Sequence, residues 1–153
     1  TPPLVCKSSH SLQLLVNAYL ASTTEQKVQL YEQALQEDYT LDIAYYHLAK
    51  LYKGCQNYEK SILYFREALK CSLSSKRNQS IIATEAGIVC TFLNKTRLAL
   101  KWWLKGIQYD PSYIMPYFNV ANIYEDQNHL EEAERYFCRA KELAPDDFRT
   151  IFH

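Results

Sequence analysis

From Asp42 onward, apolar side chains return at helical rather than strand spacing. Residues 42–54 place Tyr45, Leu48, Ala49 and Tyr52 at i, i+3, i+4 and i+7, a single stripe along one helix face. Residues 58–71 repeat the stripe with Tyr58, Ile62, Phe65, Ala68 and Leu69. The polar gap from Gly54 to Asn57 is short, which predicts that the two helices fold back on each other as an antiparallel pair. The pair returns as Ala83, Ala86, Gly87 and Cys90 followed by Leu98, Ala99, Trp103 and Gly106. It returns again as Tyr117, Val120, Ala121 and Tyr124 followed by Leu130, Ala133, Phe137 and Ala140. Asp110-Pro111 and Ala144-Pro145 close these last two pairs, because proline cannot continue a helix. Two further helices are expected upstream, over about 8–21 and 25–37.

A large aromatic followed by a small residue recurs as Tyr31/Ala34, Phe65/Ala68, Trp103/Gly106 and Phe137/Ala140, in steps of 34, 38 and 34 residues. A period of that length marks a stacked helical repeat, not a globular enzyme fold. The four extra residues of the middle step fall between Cys71 and Gln79. There Ser72, Ser74, Ser75 and Asn78 predict a longer loop or an extended helix end.

Counted from Asp42, Ser80 and Ile114, the eighth, twentieth and twenty-seventh positions of each unit are Ala49, Ser61 and Ala68; Gly87, Ala99 and Gly106; and Ala121, Ala133 and Ala140. All are small, and helix backbones approach closely only where side chains are short. On these residues the chain resembles the tetratricopeptide repeat family, whose unit of about 34 residues is a helix-turn-helix. The resemblance implies an all-α, right-handed solenoid of stacked antiparallel helix pairs. It implies a single domain over 1–153 with units at about 8–41, 42–79, 80–113 and 114–147, and 148–153 beginning a cap or a further repeat. The first unit is degenerate, with Lys27 in place of a small residue and Tyr19 one position late.

The resemblance further implies that the first helix of each unit lines a concave groove. The expected partner-binding residues are Tyr46, His47, Lys50, Glu85, Ile88, Phe118, Asn119 and Asn122. Asn119 and Asn122 resemble groove asparagines that pair with an extended peptide backbone in other members. A carboxylate clamp of the kind that grips chaperone tails is not expected, since the matching places hold Leu12, Val16, His47, Ile81 and Glu85 in one frame and Tyr46, Lys50, Glu85, Met115 and Asn119 in the next. The implied function is a non-catalytic module that binds a peptide segment or partner helix as part of a larger scaffold protein. The alternative is a structural or self-association segment of a multisubunit complex, with the groove filled by the protein's own or a subunit's helix.

Charge and chemistry narrow this only slightly. Lys+Arg and Asp+Glu both total 17 in 153 residues, so no bulk positive field points to nucleic acid or an anionic membrane. No apolar run is long enough to span a bilayer. The five cysteines form no CxxC pair and lie within helical patterns, as expected of reduced thiols in a cytoplasmic or nuclear protein. The four histidines are scattered without metal-ligand spacing, and neither a P-loop nor a GxSxG motif is present. His47 with Glu85 lacks an accompanying nucleophile or oxyanion device, so no enzyme, metal or cofactor is expected. Lys95, Arg97, Lys101 and Lys105 form a basic flank that keeps open a contact with an acidic partner. The chain opens Thr1-Pro2-Pro3 without an initiator Met, and is expected to be part of a longer protein.

Overall fold

The computed structural model describes residues 9–72 and 75–144. The expected start of a cap at 148–153 lies outside the described residues. Eight helices run in chain order among those described: α1 Ser9–Leu20, α2 Thr24–Glu37, α3 Asp42–Gly54, α4 Tyr58–Cys71, α5 Lys76–Phe92, α6 Thr96–Tyr109, α7 Met115–Asp126 and α8 Leu130–Leu143. The bounds expected from the apolar stripes hold to within a residue or two. Of the two readings of the 71–79 segment, the extended helix end is the one observed. α5 spans 17 residues against 13 for α3, and Ser75 caps its start by accepting a hydrogen bond from the Asn78 N–H at 3.2 Å.

The chain divides into two compact units after Ser72. In unit 1, α1 pairs with α2, α3 with α4, and α2 packs on α3. In unit 2, α5 pairs with α6, α7 with α8, and α6 packs on α7, while α5 also touches α7. Leu14, Ala18, Tyr31, Ala34, Leu41, Ala44 and Leu48 form the core of unit 1. Ile82, Ala83, Val89, Trp103, Val120 and Ala121 are among the buried residues of unit 2.

Three turns share one geometry. Gln56, Asn94 and Asn128 occupy the left-handed region at φ 62°, 57° and 61°, each just past a first helix. The next N–H reaches back to the last helical turn: Asn57 to Tyr52 O at 2.9 Å, Lys95 to Cys90 O at 2.9 Å and His129 to Tyr124 O at 2.8 Å. This is a Schellman closure, which satisfies the orphan carbonyls of the helix end and reverses the chain in three residues. α1 ends differently, with Ala21 N–H on Ala18 O at 3.4 Å, in keeping with the degenerate sequence of that unit.

All nine small positions are buried. Where they are not alanine, the hydroxyl or the missing side chain has a use. Ser61 on α4 donates to Ala49 O on α3 at 2.7 Å, and at Gly106 on α6 the bare backbone lets Ser80 of α5, which is outside the nine, donate to its carbonyl at 2.7 Å. Gly87 lies under the Trp103 indole so closely that a Cβ there would stand 2.4 Å from Nε1. The indole N–H donates to Thr84 O at 3.0 Å, which fixes the ring in that seat.

Candidate functional site

The row expected to face a partner is set by what each first helix buries. α3 turns Ala44, Leu48 and Ala49 inward, so Tyr46 and His47 are left half-buried and Lys50 exposed. α7 buries Tyr117, Val120 and Ala121, leaving Phe118 and Asn119 half-buried and Asn122 exposed. Glu85 and Ile88 on α5 are half-buried between the buried positions Thr84, Ala86, Gly87 and Val89. Tyr46, His47 and Lys50 thus share α3 in unit 1, and the other five share α5 and α7 in unit 2.

Two of these residues serve the core as well. Tyr46 meets Phe65 of α4 edge-on, with ring centroids 6.0 Å apart at 62°. Phe118 meets Phe137 of α8 in the same way, at 6.2 Å and 62°. An edge-to-face aromatic contact holds each ring at one angle, so the exposed flank of Tyr46 or Phe118 is presented by a fixed side chain.

His47 is stacked on Tyr31 of α2, with centroids 5.4 Å apart and planes within 10°. Burial holds the imidazole below its ordinary pKa, helped by the Lys50 and Lys27 charges, so the ring is kept neutral. Lys50 Nζ lies 5.5 Å over the Tyr46 ring. Beside His47 opens a cleft of about 270 Å³ lined by Leu15, Val16, Tyr19, Leu20, Tyr31, Ile43 and His47. The groove residues inferred from sequence omitted the α1 wall of this cleft. In the sequence Leu12, Val16, Tyr19 and Leu20 form a second apolar stripe beside the buried Ser11, Leu14 and Ala18. The degenerate register of the first unit hid it.

In unit 2 the Asn119 Nδ2 is buried and has no hydrogen-bond partner. Of the basic flank, Lys101 and Lys105 border another cleft with Leu98 and Trp102, and Lys105 Nζ lies 5.8 Å over the Trp102 ring. Among the described residues, no group of three or more His, Cys, Asp or Glu side chains is placed to hold a metal ion. No described helix is long and apolar enough to cross a membrane.

A family profile described as tetratricopeptide repeat matches residues 43–72 and 116–147. The chain is 30% identical over 64 residues to human "Tetratricopeptide repeat protein 6", an alignment covering 42% of this chain and 12% of that protein. Among solved structures, MamA superposes with a TM-score of 0.79 at 18% identity, covering 91% of this chain and 81% of its own. YrrB, described as a TPR protein with an unusual peptide-binding site, superposes at 0.65 with 21% identity, covering 87% and 65%. The structural likenesses establish the fold class, an α-solenoid of stacked antiparallel helix pairs. The profile matches identify tetratricopeptide repeats in the chain, and the nine small positions of that repeat are buried.

Proposed function

We propose that the chain is a non-catalytic protein-interaction module that binds a peptide segment or partner helix along its first-helix faces, as part of a larger scaffold in the cytoplasm or nucleus. The observation that carries this reading is the apolar cleft of about 270 Å³ beside His47, an opening of a size and lining that suits a side-chain anchor. In unit 2, Asn119 and Asn122 are three residues apart on one helix, and each amide offers a donor and an acceptor to an extended backbone. The unpartnered Asn119 Nδ2 supports this, since a buried amide without a partner is costly. YrrB, with the same fold, is a peptide binder by its description.

The test uses peptides selected from a random library on the intact chain. Asn119→Ala/Asn122→Ala is expected to weaken their binding by about 1–3 kcal/mol with the fold unchanged, each lost hydrogen bond being worth on the order of 1 kcal/mol. Full binding by that variant, with loss on changing Lys101 and Lys105, moves the interaction to the basic flank and defeats the reading.

A further inference from the structure

We infer that the first-helix face of unit 1 recognises an acidic partner segment through one large apolar anchor, the anchor entering the cleft between α1 and α3 and the carboxylates lying along the lysines of α3. The inference rests on the groove reading above and adds the chemistry of what is bound.

The apolar half of the argument is exposure. Val16 (52%), Tyr19 (70%), Leu20 (71%) and Ile43 (46%) are exposed large apolar residues on two helices, and all line the same cleft. Single exposed apolar side chains are ordinary on a protein surface, whereas a group of them around one opening marks a place that a partner covers. Tyr31 and His47, stacked on each other, close the cleft with a rigid aromatic wall.

The charged half is the sign of what surrounds it. α1 has no Asp, Glu, Lys or Arg along its length. α3 carries one carboxylate, Asp42, whose Oδ1 accepts from the Ile43 N–H at 2.9 Å in the first turn. Its remaining charges are Lys50 and Lys53, on the half that runs away from Asp42. On α2, Lys27 acts with Lys50 on the His47 ring, whereas of that helix's carboxylates Glu32 accepts from the Tyr52 hydroxyl, Glu37 pairs with His10 and Glu25 lies in the first turn. A basic segment entering here would set like charges together, and an uncharged one would leave this field unused. An acidic one is favoured by difference.

Fluorescence anisotropy with the intact chain tests this with three dye-labelled peptides: a Phe-Leu pair flanked by glutamates, the same pair flanked by lysines, and the glutamate peptide with Ser-Ser in place of Phe-Leu. The glutamate-flanked Phe-Leu peptide is expected to bind roughly tenfold or more tighter than either of the others, and to weaken as salt rises. Val16→Asp and Ile43→Asp should each weaken it by about tenfold or more. Both positions are exposed, so circular dichroism and melting are expected to stay unchanged. Lys50→Glu should remove most of the preference for glutamate over lysine.

Equal binding of the glutamate and lysine peptides, lost in Ile43→Asp, overturns the acidic specificity and leaves the groove reading standing. Binding that survives both Val16→Asp and Ile43→Asp overturns the placement in the cleft and counts against the groove reading too. If none of the three peptides binds, the inference is overturned, and the library-selected peptides judge the groove reading separately. A concentration-dependent dimer that Val16→Asp abolishes, without peptide binding, assigns the cleft to a second copy of the chain and also overturns it.

Discussion

Gly87 and Trp103 show how one missing side chain can decide a helix contact. A Cβ at residue 87 would meet the indole at 2.4 Å from Nε1, and the ring is pinned by its hydrogen bond to Thr84 O. Gly87→Ala is therefore expected to destabilise the protein by about 1–3 kcal/mol through overpacking, although alanine is the better helix former. Trp103→Phe in the same background should recover part of the loss, and thermal melts of the two single variants and the double measure that coupling. His47 makes a pH-dependent contribution. Its folded pKa is lowered from 6.5 by burial first, then by Lys50 and Lys27, so the unfolded chain binds the proton more readily. The stabilisation from keeping the ring neutral is complete above pH 6.5 and is lost as pH falls through the lower folded value. Replacing His47 with Gln should flatten the melting temperature against pH below 6.5. An unchanged pH profile would show that the ring is not kept neutral by the fold.

Among the elements, the helix pair is the unit that the sequence states most plainly. The stripes of α3, α4, α6, α7 and α8 could be read because each helix buries its apolar side in its own pair, and for α3, α6 and α7 also toward the neighbouring pair, while the opposite side stays polar, which leaves a clean period in the residues. The nine small positions were legible for the same reason, and they give a test of register. Ala68→Leu and Ala140→Leu, both at fully buried sites, are each expected to cost about 1–3 kcal/mol, whereas Gln108→Leu on an exposed position should cost little. The turns were less legible. Nothing in the spacing of apolar residues distinguishes Gln56 from any other polar loop residue, yet its φ of 62° makes it a left-handed closure like Asn94 and Asn128. Asparagine tolerates that region and glutamine does so less well, so Gln56→Gly should raise stability by about 1 kcal/mol in a denaturant titration. The α1 wall of the cleft went unread because that helix is apolar on two faces, and period alone does not say which of them meets solvent.

For the molecule as a whole, the repeat period revealed the architecture, but the candidate site was only partly readable from it. Position in the repeat placed Tyr46, His47, Lys50, Phe118, Asn119 and Asn122 on first-helix faces. It did not disclose that Tyr46 and Phe118 also pack edge-on against Phe65 and Phe137, because that contact depends on side-chain angle. In repeat proteins each element depends mainly on its neighbours, so damage stays near its source. Hydrogen exchange in Ala140→Leu should therefore rise most in α7 and α8, with the helices of unit 1 less affected. Uniform loss of protection along the chain would contradict that.

The seat of Trp103 against Gly87 also gives the molecule a selective optical probe. Both tryptophans, Trp102 and Trp103, lie buried on α6 in unit 2, and unit 1 has tyrosines but no tryptophan. Emission excited at the red edge, where only indole absorbs, reports the opening of unit 2 alone, while far-UV dichroism reports the helices of both. If the two signals are followed through the same denaturant series, their coincidence or separation reads directly whether the two halves come apart together.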